Sequence, residues 1–101
     1  MDRIMALSEV QRDDDELRVT LWQLRPGSET GWHVHELAYV VVPVRGGALT
    51  VEDKAGSRAY PIESGKSYSR PAGVEHNIAN DGTDDIAFVE IELKPGRDRR
   101  R

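Results

Sequence analysis

No cysteine occurs among the 101 residues. Disulfides, thiolate metal ligands and cysteine nucleophiles are therefore excluded together. A chain this short hides only about 60–65% of its extended surface on folding, and small domains offset that shortfall with disulfides, a metal or a partner subunit. With disulfides gone, a metal or an oligomer remains. Long apolar runs are lacking as well: no stretch approaches the ~18 residues of a membrane span. The opening MDRIMALSEVQRDDDELRV carries acids where a secretory leader would be basic. The expectation is a cytoplasmic protein with no membrane partner. Positive charge is in deficit too, the formal net charge being −4, so nucleic acid has no general electrostatic reason to bind. The one basic cluster, Arg97, Arg99, Arg100 and Arg101, reads as a solvated terminus rather than a phosphate grip. There is no phosphate-loop or dinucleotide glycine pattern, and the length fits one domain over 1–101.

What is present is a series of short apolar blocks: LRVTLWQL (17–24), YVVVPV (39–44), ALTVED (48–53), RAYPIE (58–63) and IAFVEIEL (86–93). Val, Ile, Tyr, Trp and Thr dominate them and alternate with polar residues, which is strand behaviour. In the last block Ala87, Val89, Ile91 and Leu93 share one face, and Ile86, Phe88, Glu90 and Glu92 the other. Neither face is wholly polar, as expected if the outer side is partly covered by the N-terminal segment or another subunit. Turn signals such as Pro26-Gly27, Gly46-Gly47, Pro71-Ala72-Gly73 and Asn80-Asp81-Gly82 recur too closely for strand–helix–strand units. An all-β sandwich or barrel follows. Only residues 5–12 offer a weak helical turn, and Asp13-Asp14-Asp15-Glu16 reads as a soluble turn. Pro43 and Pro61 lie inside strand blocks, and each should occupy an edge or a bulge because neither can donate to a ladder. Trp22 and Trp32 read as packing residues, Asn77 and Asn80 as turn closers.

The three histidines carry the chemistry. A strand points every second side chain the same way, so His33 and His35 are neighbours on one face, able to reach one point. His76 follows the Pro71-Ala72-Gly73 turn, 41 residues beyond His35, a gap that suits a strand returning antiparallel beside the first. Two interpretations stand side by side: three unrelated imidazoles, or one shared metal for which imidazole is the common ligand.

The chain reads Gly27-x5-His33-x-His35-x3-Tyr39-x6-Gly46 and then Gly65-x5-Pro71-x-Gly73-x2-His76-x3-Asn80. These segments, 27–46 and 65–80, resemble the two cupin motifs, the second at every defining position. The phrases ETGWHVHELAYVVVPV and SYSRPAGVEHNIAN are similar to small single-domain cupins assigned to beta-alanine degradation. The resemblance implies a double-stranded β-helix, or jelly-roll barrel, forming a homodimer, with a divalent metal inside on His33, His35 and His76. The position of the family's acidic ligand falls on Tyr39, whose phenol would need to shed a proton from a pKa near 10. A three-histidine site with Tyr39 close by is the expectation. Glu36 and Glu75 sit next to ligand positions and so point the other way, whereas Glu90 could serve only if a bulge resets the parity of its strand.

Three neutral imidazoles leave the ion's two charges uncompensated, which favours an anionic or chelating small-molecule ligand. Tyr39, Tyr68 and Arg70 are the candidates for holding it, Arg70 as a charged fork for a carboxylate. Tyr68 and Arg70 share one face, inward or outward, with Ser67 and Ser69 as the alternative lining. The resulting expectation is a metal-dependent dioxygenase or other oxidoreductase, with iron as its metal. A zinc, manganese or nickel isomerase or lyase, or a non-enzymatic ligand-binding cupin, are the alternatives.

Overall fold

The computed structural model describes residues 2–95; the arginine cluster at 97–101 lies outside them. Eleven strands follow one another, with no helix among the described residues: β1 (Ile4–Met5), β2 (Leu7–Asp13), β3 (Leu17–Leu24), β4 (Ser28–Glu29), β5 (His33–Val34), β6 (Tyr39–Arg45), β7 (Gly47–Asp53), β8 (Gly56–Ile62), β9 (Tyr68–Arg70), β10 (Glu75–Asn80) and β11 (Ile86–Leu93). They form two sheets. One runs β1-β4-β10-β7-β8 with β5 also on β10; the other runs β2-β3-β11-β6-β9. Leu49, Val51, Ile62 and Ile78 from the first pack against Leu24, Tyr39, Val41, Ile86 and Phe88 from the second, so the core lies between the sheets. Each apolar block of the sequence is a strand, because β-branched and aromatic side chains at alternate positions bury one face of a pleated surface.

Both prolines sit where a missing donor does no harm. Pro61 is on β8, the outer strand of its sheet. Pro43 is at a β-bulge, where the β6–β11 register shifts between Ala87 and Phe88. Gly46, at the β6–β7 corner, has no room for a side chain: a Cβ there would lie 2.5 Å from the Ile62 carbonyl oxygen. The acidic run turns as expected, Asp14 accepting hydrogen bonds from the Glu16 and Leu17 amides at 2.8 and 3.0 Å.

Three expectations are corrected. Residues 5–12 contain no helical turn; β1 and β2 are extended, and β2 ladders onto β3 with a bulge between Val10 and Arg12. Every β2 side chain is exposed, so the free edge of β3, not packing, decides against the helix. Trp22 does pack against the core, but Trp32 is 51% exposed and donates its indole N–H to Glu75 at 2.7 Å. The third correction concerns β11. Its inward face is Ile86, Phe88, Glu90 and Glu92, in register with Pro43, Val41 and Tyr39 on β6. Glu90 therefore faces inward without any resetting bulge. Alternation could not orient β11, since apolar residues occupy both faces.

Asn80 closes a turn as expected, its side chain accepting from the Gly82 amide at 3.0 Å. It is also wholly buried and donates to the Leu24 and Asp84 carbonyls at 2.8 Å each, tying the two sheets together. Asn80→Ala strands these groups and should cost about 2–3 kcal/mol, read as a lowered urea midpoint with an unchanged slope.

Candidate metal centre

His33 on β5 pairs directly with His76 on β10 in an antiparallel ladder. His35 lies just beyond β5, its amide donating to the Val74 carbonyl at 2.8 Å and its carbonyl accepting from Gly73 at 2.7 Å. Three imidazoles thus converge from two adjacent backbones, with ligand atoms all within 4.8 Å of one another. The separations are 3.0 Å between the Nε2 atoms of His33 and His35, and 3.2 Å between those of His35 and His76.

The His33 tautomer follows from its surroundings. Its Nδ1 lies 2.7 Å from the Gly31 carbonyl oxygen, which can only accept, so Nδ1 carries a proton, and of the two neutral tautomers the one that leaves the Nε2 lone pair toward the centre is selected. Gly31 holds that carbonyl in place with φ of +92°, a conformation glycine adopts without strain. Its amide donates to Asn77 Oδ1 at 2.9 Å, and Asn77 Nδ2 donates to Glu29 and Glu52 at 2.8 Å each. Arg3 then binds Glu29 at 3.2 Å and Glu52 at 3.0 Å. Asn77 is thus a buried strand residue on β10, not a turn closer, and it anchors the chain of contacts that ends on the His33 ring.

Burial, reinforced by His33, pulls His35 down from the ordinary 6.5 to about 4. Burial, then His33 and His35, do the same to His76. Both rings are therefore neutral near pH 7, as ligands must be. A shared proton could satisfy one of the two short Nε2 contacts, whereas a cation accepts all three lone pairs. At metal–nitrogen bonds of about 2.1 Å, nitrogens stand about 3.0 Å apart for a right angle and about 3.4 Å for a tetrahedral one. The observed separations fall in this range, so the three histidines could hold a metal ion.

The fourth position is not filled by a described carboxylate, the converging group being the three histidines alone. Tyr39 is 2% exposed, and its ring stacks on His35 with centroids 3.9 Å apart and planes 19° off parallel. Burial first, then Glu90, raises its phenol well above the usual value, so it stays protonated and is a donor rather than an anionic ligand. Glu75 turns away to Trp32 and Lys54, and Glu36 is exposed.

Two cavities flank the imidazoles. One, of about 330 Å³, is lined by His76 together with Tyr39, Tyr60, Tyr68 and Arg70 above an apolar floor that includes Val51 and Ile78. Tyr68 and Arg70 thus face inward. The Arg70 guanidinium donates to the Tyr60 hydroxyl at 2.7 Å and lies 5.2 and 5.1 Å from the Tyr60 and Tyr68 ring centroids, within cation–π range. Tyr60 was not foreseen because it alternates within an ordinary strand block and carries no motif. The other cavity, of about 360 Å³, is lined by His33, His35, Thr20, Trp22, Glu90 and Glu92.

Comparison with known proteins bears on the same residues. A family model described as Cupin domain matches residues 20–92. The Pseudomonas aeruginosa protein named Beta-alanine degradation protein BauB is 46% identical over 92 residues, 91% of this chain and 97% of that one. A cupin domain from Bordetella pertussis, known as a crystal structure, is 47% identical with a TM-score of 0.90 across 93% of this chain and 98% of its own. An RmlC-like cupin family protein with a double-stranded β-helix fold from Methanocaldococcus jannaschii, 17% identical, superposes with a TM-score of 0.73 over 92% and 84% of the two chains, a likeness of fold alone.

Two outcomes are expected of the imidazoles. His76→Ala should abolish binding of zinc or iron at micromolar concentration while Tyr39→Phe retains it, as read by metal analysis after dialysis. In the metal-free protein His35 and His76 have folded pKa values below the unfolded 6.5. The unfolded chain therefore takes up protons first as pH falls, so their contribution to stability is full above about 6.5 and is lost on descent to about 4. The urea midpoint should fall over that interval, less steeply in His76→Asn.

Proposed function

The chain belongs to the cupin superfamily, and on that premise we propose that it is a metal-dependent oxidoreductase, a dioxygenase, acting on a small anionic or chelating metabolite. The observation that carries this reading is a cavity lined at once by His76, a member of the three-histidine group, and by Arg70. Three imidazoles bring no negative charge, so a bound cation retains its attraction for an anionic guest in a poorly solvated barrel. Iron on His33, His35 and His76 would supply the redox chemistry of oxygen insertion.

The chain's own groups then divide the remaining work. Arg70, steadied by Tyr60 and the Tyr68 ring, offers guanidinium N–H donors to a carboxylate. Tyr39, fixed by its stack on His35, keeps its phenol proton and can donate it in a hydrogen bond to the guest. Tyr68 likewise stays protonated, burial raising it to about 12. Leu49, Val51 and Ile78 give the cavity an apolar floor. The name of the Pseudomonas aeruginosa relative agrees with a small organic acid or amino-acid derivative as the guest class.

The same scaffold with zinc, manganese or nickel would act as a Lewis acid in an isomerase or lyase, and with no turnover it would be a ligand-binding cupin. The reading includes a homodimer in the cytoplasm. The support for the dimer is the outer face of the five-stranded sheet, where Leu21, Val89 and Val42 adjoin in register, as do Val19, Ile91 and Val40, forming an apolar surface that is only partly buried among the described residues.

Oxygen uptake by the iron-loaded protein should be stimulated by at least one of a panel of small thiols, β-diketones and amino acids. Arg70→Ala should raise KM for it by about 10-fold or more, the worth of a hydrogen bond to a charged group, with iron content unchanged. Turnover without oxygen in the zinc or manganese form would instead select the Lewis-acid alternative.

A further inference from the structure

The cavity beside His33 and His35 has no part in that scheme, yet it holds an unusual carboxyl. Across the inner face of the five-stranded sheet the register places Thr20, Glu90, Val41 and Tyr68 in one row and Arg18, Glu92, Tyr39 and Arg70 in the next. Arg18 is committed to Glu92, its Nε and Nη2 meeting the two carboxylate oxygens at 2.7 and 3.0 Å. No lysine or arginine among the described residues forms an ion pair with Glu90. Its remaining surroundings are Trp22 on β3, Phe88 and Glu92 on its own strand, and Tyr39 and Tyr68 on β6 and β9. His33, His35 and the exposed Glu36 line the same cavity.

A carboxylate in such a place is costly, since burial and the neighbouring Glu92 both oppose its charge and only Trp22 and the committed Arg18 act in its favour. The group is accordingly pushed up to about 7, poised to carry or release a proton near neutrality. Glu90 stands outside the converging ligand group but shares a cavity with two of its members.

We propose that Glu90 is the proton acceptor of the site, taking the proton that a neutral thiol or enol must shed when it binds at the three histidines as an anion. The proposal rests on the reading that the histidines hold a cation with open positions. In the step, the S–H or O–H bond of the incoming compound breaks and its electron pair stays on sulfur or oxygen. The proton forms an O–H bond with the Glu90 carboxylate. A neutral compound enters and the total charge inside the barrel does not change, so no anion is drawn from water toward the two carboxyls of Glu90 and Glu92. Reversal of the step returns the proton when the compound leaves.

The test uses the cobalt(II)-loaded full chain and two probes: 2-mercaptoethanol, which must lose a proton to bind as thiolate, and azide, which is already an anion. Thiolate binding is followed by its charge-transfer absorbance and azide by the change in the cobalt spectrum. Glu90→Gln should slow thiolate binding by about 10²-fold, the lower range for a positioned base, while azide binds within twofold of the unaltered rate and cobalt content is preserved. Glu90→Asp should restore part of the loss. Equal slowing of both probes, no slowing of either, or azide binding with no thiolate binding in the unaltered protein overturns the proposal and leaves the metal reading standing. Failure of cobalt or azide to bind at all overturns the metal reading and the proposal with it. Independently of any variant, the Glu90 carboxyl carbon in the metal-free protein should titrate near 7 by NMR, and titration in the ordinary carboxylate range would refute the assignment.

Discussion

Three imidazoles whose ligand nitrogens lie within 4.8 Å of one another, with two of the separations near 3 Å, form an arrangement that the rest of the molecule must hold open. Lone pairs at that distance repel unless something positive lies between them. Two rings sit in a barrel that favours their neutral form, so protons do not readily supply that charge. The backbone enforces the approach. The direct pairing of His33 with His76 on β5 and β10, and the flanking bonds between His35 and the 73–74 segment, fix the spacing before any ligand is considered. β10 is the hub of this geometry, since it pairs with β4, β5 and β7 and carries His76, Asn77 and Asn80 in succession or near it.

The polar groups around the centre are distributed rather than scattered. On one side three phenols and Arg70 surround an apolar floor; on the other, Glu90 and Glu92 face an indole and two of the histidines. Members of both sets share each of two adjacent rows of the five-stranded sheet, Glu90 with Tyr68 in one and Glu92 with Tyr39 and Arg70 in the next, so a carboxyl stands toward one end of each row and a phenol or guanidinium toward the other. Glu92 is balanced by Arg18, and Glu90 is not.

Farther out, Arg3 gathers Glu29, Glu52 and Asp81, and Asn77 links two of those acids to the Gly31 amide. A surface ion pair alone contributes little. Here the acids orient a buried amide, the amide orients a carbonyl, and the carbonyl selects the His33 tautomer, so an N-terminal residue bears on which nitrogen faces the centre.

Much of this was legible in the chain as written. Alternating blocks gave five of the strands within a few residues, because side-chain period and β-branching are local properties. The histidine spacing and the two long motifs identified the imidazoles, because alternation alone places His33 and His35 on one face. The absence of cysteine removed every competing ligand set of thiolate type. Other features had no local signature. Residues 5–12 have a composition compatible with a helix and are a strand because β3 offers an edge. β11 is apolar on both faces, so only pairing with β6 decides that Glu90 looks inward, and Tyr60 and Asn77 gain their partners from strands remote in sequence. Composition, alternation and motif spacing thus determined an all-β barrel and its three histidines by themselves. Strand register, which is set by long-range pairing, decided which carboxyl, phenols and guanidinium share that interior with them.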